Sequence, residues 1–234
     1  MLRNLFFAAT CMVFSAAAAD DPVRTPVLVE LFTSESCSSC PPADRQLQQL
    51  DPLVIVLSEH IDYFNQLGWK DRFSSPVFTE RQEAYARAFG LDSPYTPQMV
   101  VDGAAQFTGG DAGRARQEIA KAAERPKATI VLERLDAYLR VDIEAVPRDA
   151  DVWLALANDT VSTQVTAGEN RGRTLTHVAV VRSLRKIGSV RRGGTFSRHV
   201  TFDTALGGMR IIVFLQEPGQ SRIVGAQILP ARES

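Results

Sequence analysis

Two cysteines three residues apart, Cys37 and Cys40, follow closely on the apolar run Val27-Leu28-Val29-Glu30-Leu31-Phe32, and nothing else in the chain restricts its fold and chemistry as tightly. A run of β-branched and aliphatic residues this continuous reads as a strand buried on both faces, central in a parallel or mixed sheet. After the cysteines, Pro41-Pro42-Ala43-Asp44 and then Leu47 and Leu50 at helical spacing read as a helix start and its apolar stripe. Cys37 is therefore expected at or just before a helix amino terminus, exposed, where free N–H groups and the helix dipole favour a thiolate.

What a thiol pair means depends on its compartment. Residues 1–19 carry Arg3, the apolar run Leu5 to Phe14, and Ala16 to Ala19 before Asp20, the pattern of a cleaved export signal too short to span a bilayer. Cleavage after Ala19 removes Cys11 and leaves Cys37 and Cys40 as the only cysteines. The expected location is periplasmic or secreted, with no membrane segment remaining. In oxidising surroundings a Cys-x-x-Cys loop closes too few residues to be much of a structural staple, which favours redox exchange. A closed structural disulfide and a copper or zinc site using Cys37, Cys40 and His60 are the alternatives. His177, His199, Met99 and Met209 are the other soft ligands of the mature chain, so a fourth ligand is short and no metal or other cofactor is expected.

Leu53 to Leu57 reads as a second buried strand ending in Ser58-Glu59-His60, so that strand, helix and strand make a right-handed crossover. His60 and Asp62 are expected as a supporting hydrogen-bonded pair. Pro76 to Phe89 reads as a helix, capped by Ser75 and stopped by Gly90. Thr96-Pro97 stands immediately before the apolar Met99-Val100-Val101, and a proline starting a strand invites a cis peptide. Glu30, a carboxylate in an apolar strand, must be paired or carry a raised pKa, which makes it a candidate proton carrier for Cys40.

Across residues 25–124 these features resemble the thioredoxin fold. The resemblance implies that Pro97 is cis and packs against a Cys37–Cys40 disulfide, and that Thr96 offers main-chain hydrogen bonds to an extended substrate. It also places Glu30 as the buried acid beneath Cys40. Ser38-Ser39 replaces the usual Gly-Pro, and the stretch Ile61 to Ser93, rich in aromatics that include Trp69, is longer than the usual crossover. With His60-Ile61-Asp62-Tyr63, Gly68-Trp69 and Glu169-Asn170-Arg171-Gly172-Arg173-Thr174-Leu175, the chain resembles a bacterial secreted thioredoxin-like family of unassigned function.

A helix from about Ala112 to Glu124 ends before Pro126, and the pattern then changes to short β-rich segments: Ala128 to Leu132, Tyr138 to Val146, Val152 to Ala157, Thr174 to Arg182, Thr195 to Phe202, Arg210 to Leu215 and Ile223 to Leu229. The expected architecture is an α/β thioredoxin-like domain over 20–125 followed by an all-β sandwich-like domain over 126–234. With 26 basic and 27 acidic residues the chain has no field for nucleic acid. Between Asn170 and Val200, however, eight Arg and Lys residues stand without an acid, reading as the solvated face of a hairpin or as a docking site. The function expected is thiol–disulfide exchange with a protein or small disulfide partner through Cys37, Cys40 and Glu30.

Overall fold

The computed structural model describes residues 25–135, 138–202 and 208–231. The expected export signal, with Cys11 and the cleavage point after Ala19, lies outside the described residues. The elements run β1 (Thr25–Thr33), α1 (Pro41–Leu50), β2 (Val54–His60), α2 (Pro76–Phe89), β3 (Gln98–Val101), β4 (Ala105–Thr108), α3 (Ala112–Ala123), β5 (Thr129–Arg134), β6 (Tyr138–Glu144), β7 (Ala150–Gln164), β8 (Thr174–Val190), β9 (Phe196–Thr201), β10 (Met209–Gln216) and β11 (Ile223–Leu229). They form an α/β protein with one large mixed sheet, ordered β11-β10-β7-β8-β2-β1-β3-β4, and a small sheet, ordered β5-β6-β9.

The helices start and stop where local chemistry dictates. Ser75 accepts the Val77 N–H at the head of α2, Pro76 fills its first position, and Gly90 at φ 67° ends it in the left-handed region. α1 begins at Pro41 with Cys40 as its N-cap, so Cys37 lies in the preceding turn and not at the helix end itself.

The expected separate all-β half does not stand apart. β7, β8, β10 and β11 lengthen the sheet that β1 and β2 begin, because β8 lies parallel beside the otherwise open edge of β2, with Val180 opposite Ser58. The sheet then curls until β11 returns against β1. Asp102 fastens that return: its side chain accepts the Leu28 N–H at 2.9 Å, its carbonyl accepts the Ile223 N–H at 2.7 Å, and Lys127 pairs with its carboxylate. One apolar core therefore joins Val27, Leu31 and Val56 to Ala155, Phe214 and Ile223 across the expected boundary near Pro126. A sandwich does form locally, where Leu139, Val141 and Ile143 of the small sheet pack on Val152, Leu154, Ile211 and Val213 of the large one.

Side-chain alternation on β1 sorts its residues between the two faces. A Cβ built on Gly109 would meet both Leu31 and Ala43 within 3 Å, so Leu31 faces α1. Glu30 and Phe32 consequently face α2, where Phe32 packs edge-on against Tyr85 at 5.9 Å. On that face Arg81 binds Glu30 at 2.5 Å, Tyr85 donates to Glu30 at 2.5 Å, and Gln216 donates to the Tyr85 hydroxyl at 2.9 Å. Arg81 also lies 3.5 Å from Glu59 and over the rings of Trp153 and Phe214 at 5.8 and 5.3 Å. One guanidinium thus serves two carboxylates. Burial, opposed by Arg81 and reinforced by the neighbouring Glu30, pushes the Glu59 carboxyl well above its ordinary range.

Cutting the chain after residue 125 would remove β8 from the β2 edge and strip Trp153, Phe214 and Gln216 from Arg81. The fragment is expected to lack a cooperative thermal transition and to aggregate, whereas a stable, monomeric fragment with a sharp transition would show two independent units.

Candidate functional site

Cys37 and Cys40 are disulfide-bonded, with Cα atoms 5.4 Å apart. Between them only Ser38 and Ser39 are exposed; Cys37 is 2% accessible and Cys40 fully buried. The expected exposure of Cys37 is therefore corrected: the turn folds inward and is covered. Around Cys37 Sγ stand two hydroxyls, Thr96 Oγ1 donating from 3.6 Å and Ser39 Oγ at 3.4 Å. The Thr96–Pro97 peptide is cis, and Pro97 is buried beside Leu31 and Ala43. Tyr63, whose hydroxyl donates to Gln82 at 3.0 Å, has its pKa pushed up by burial to about 12.

The cover comes from the far half of the chain. At the tip of the β7–β8 hairpin the fully buried Asn170 donates from Nδ2 to the carbonyls of both Glu35 and Cys37, each at 2.9 Å. Arg173 holds Asn170 Oδ1 at 3.0 Å, and Glu169 accepts the Ser38 N–H at 3.1 Å. Gly168 takes φ 71° with Trp69 against it, 3.0 Å from where a Cβ would stand, so a larger residue there would push the tip off the loop. Trp69 in turn donates from Nε1 to Glu35 at 2.8 Å and accepts from the Ser36 hydroxyl at 2.6 Å.

Beneath the turn lies a second buried polar group, on the α1 face of the sheet. Thr33 and His60, opposite one another in β1 and β2, carry it. His60 Nδ1 is 2.6 Å from Asp71, whose carboxylate also accepts the N–H groups of Glu35 and Phe73. Burial would raise Asp71, but His60 and those two N–H groups hold it below its ordinary value. The His177 ring meets His60 edge-on at 4.7 Å, with Nε2 3.9 Å from Glu35 and Nδ1 3.5 Å from Asp44. Burial would lower His177; Asp44 first, then Glu35 and Asp71, outweigh it and raise the pKa above 6.5. Among the described residues no group of three or more His, Cys, Asp or Glu is arranged to hold a metal ion.

Residues 28–216 match the model of a family described as a protein of unknown function, DUF1223. The chain belongs to that family. No curated protein matches it. The DUF1223 chain is similar to the crystal structure of protein AGR_C_4864 from Agrobacterium tumefaciens, a structural-genomics target: 28% identity, 91% of this chain and 97% of that one covered, TM-score 0.77. It shares its fold with HBP35 of Porphyromonas gingivalis at 13% identity and TM-score 0.56, over 89% of this chain and 76% of that one.

In this DUF1223 protein the structure brings Cys37, Cys40, Thr96 and Pro97 together and sends Glu30 elsewhere. Glu30 is committed to Arg81 and Tyr85 on the sheet face opposite α1, so it does not lie beneath Cys40. His60 is on the site side but its partner is Asp71, not Asp62, which instead accepts the Thr79 hydroxyl at 2.6 Å beside α2. Sequence reasoning missed Asn170, Glu35, Asp44, Asp71 and His177. Asn170 had a signal in the segment 169–175 and His177 stood only among the spare soft ligands; Glu35, Asp44 and Asp71 looked like ordinary polar positions. The basic run is no single patch, because β8 and its flanks spread it over roughly 50 Å at about 3.3 Å per residue. Arg171 and Arg173 sit at the hairpin tip, Arg182 lies over Phe73 at 5.3 Å, and Lys186 is paired with Asp151.

His177 gives the site a pH signature. A histidine whose folded pKa exceeds its unfolded value contributes its full stabilisation below the unfolded value, near 6.5, and loses it as pH rises through the folded one. Thermal stability is expected to fall as pH climbs above 6.5, and His177→Gln to flatten that slope; an equally steep slope in His177→Gln would exclude His177 as its source.

Proposed function

We propose that this protein is an exported thiol–disulfide oxidoreductase whose first half is thioredoxin-like. The observation that carries the reading is the Cys37–Cys40 pair in the turn before α1, with Thr96 Oγ1 on Cys37 Sγ and the cis Thr96–Pro97 peptide beside it. The order β2-β1-β3-β4, with β2 parallel to β1 and β3 and β4 antiparallel, supports the thioredoxin-like assignment.

In this reading Cys37 is the attacking thiol. The Thr96 and Ser39 hydroxyls are placed to donate to its thiolate, which favours the charged form. Cys40, wholly buried at the N-cap of α1, resolves the mixed disulfide. The substrate is a protein or small-molecule disulfide, its extended segment running along the main chain of Thr96. Because Asn170 and Glu169 cover the turn, the hairpin tip lifts before a substrate sulfur reaches Cys37. Export rests on residues 1–19, and an intact mass beginning at Asp20 tests it.

The burial of both sulfurs favours a second reading, a permanently closed structural disulfide. Trapping separates the two. Cys40→Ser is expected to accumulate covalent partners on Cys37 that a reductant releases, and Cys37→Ser to accumulate none. If neither variant captures a partner and Cys37 alkylates no faster than an ordinary thiol of pKa about 8.5, the structural reading replaces the redox one.

A further inference from the structure

With Glu30 turned to the other face, the thiol chemistry lacks an obvious route for the Cys40 proton. Exchange requires one. In the reducing direction the Cys37 thiolate attacks a substrate disulfide, a Cys37–substrate disulfide forms, and one substrate thiolate leaves. Cys40 then gives up its proton and its sulfur attacks Cys37 Sγ; the Cys37–Cys40 bond forms and the second substrate thiolate leaves and is protonated. The substrate disulfide is reduced to two thiols and the protein dithiol is oxidised. In the opposite direction Cys40 leaves as a thiolate and takes a proton up. Either way a proton crosses at a sulfur that solvent does not touch.

Asp44 stands one helical turn on from Cys40. Cys40 has helical backbone angles, φ −76° and ψ −36°, and its carbonyl accepts the Asp44 N–H at 3.1 Å. Residues one turn apart share a helix face, so the Asp44 side chain neighbours that of Cys40. Asp44 is 5% accessible; Oδ1 accepts from Thr33 at 2.9 Å, while Oδ2 is buried with no hydrogen-bond partner. His177 Nδ1 stands 3.5 Å from Oδ1 and Nε2 3.9 Å from Glu35, ion-pair contacts without hydrogen-bond geometry. Asp44 also lines a cavity of about 230 Å³ that opens between α1, at Arg45 and Gln48, and the start of β8, at Thr174 and Thr176. A buried carboxylate with a spare oxygen, an imidazole behind it and a path to solvent beside it is the arrangement a proton carrier needs.

We infer that Asp44 accepts and returns the Cys40 proton, exchanging it with solvent through that cavity, and that His177 is the positioning residue that holds its side chain in place. The inference rests on the redox reading above. The charged and titratable groups facing the pair are Glu35 and Asp71 from the loops, His60 from β2, Arg45 from α1, and Arg182 with Arg72 beyond Phe73.

The test follows the reduced mature protein, beginning at Asp20 and so carrying only Cys37 and Cys40, with dithiobis-nitrobenzoate in a stopped-flow instrument. Two thionitrobenzoate ions are released, the first by Cys37 attack and the second by Cys40 resolution. Asp44→Asn is expected to leave the first phase unchanged and slow the second about a hundredfold near neutral pH. The deficit should shrink as pH climbs above the ordinary thiol value of about 8.5, more slowly than for an exposed thiol because burial raises the pKa of Cys40. His177→Gln is expected to slow the same phase less and to shift its pH profile, and serves alone if Asp44→Asn does not fold. A second phase unaltered in His177→Gln and Asp44→Asn, or a slowing undiminished at alkaline pH, overturns the inference while leaving the redox reading standing. Absence of the first phase in the unmodified protein overturns the redox reading itself.

Discussion

The alternation of side chains along β1 and β2 divides the buried polar groups of this protein between two faces of one sheet, and the rest of the structure is arranged around that division. Glu30 and Glu59 fall on one side with Arg81, Tyr85 and Gln216; Thr33 and His60 fall on the other with Asp44, Asp71 and His177. The first group is a pairing problem solved internally: a buried guanidinium binds one carboxylate closely and lies 3.5 Å from the other, whose pKa burial pushes up. The second group leaves nitrogens and oxygens without hydrogen-bond partners next to a reactive pair. A strand shifted by one residue would exchange the two sets and put Arg81's partner beneath the disulfide.

The two halves of the chain complete each other. The Cys37 turn presents its carbonyls to Asn170, more than a hundred residues away, and the edge of β2 is covered by β8. Asp102 fixes the other end of the curl, holding β1, β11 and Lys127 together from one position at φ 49°. The second half is accordingly both scaffold and cover for the site. That accounts for the reach of the β7–β8 hairpin, whose strands of 15 and 17 residues extend well beyond the usual length.

Much of this was legible from residue pattern alone. Ser75, Pro76 and Gly90 mark α2 at both ends, and the continuous apolar runs mark β1 and β2, because caps and burial are local properties. The length of β8 was hidden, since bulges near Arg182 and Ile187 break the alternation by which a strand is read. The single contiguous sheet was hidden for a different reason. The change from helices to strands near Pro126 is real, but the pairing of Ser58 with Val180 leaves no mark on composition. Glu30 was legible as a buried acid that must be paired or carry a raised pKa, but its partner was not, because Arg81 lies 51 residues further on and only the fold brings them together.

The central claim is that the Cys37–Cys40 bond opens and closes in the folded protein. Equilibrating the native chain in buffers of graded glutathione potential, counting free thiols and following the fold by circular dichroism in parallel, tests it most directly. The account predicts a reversible two-thiol transition with the fold intact. A disulfide that stays closed until the protein unfolds would contradict it.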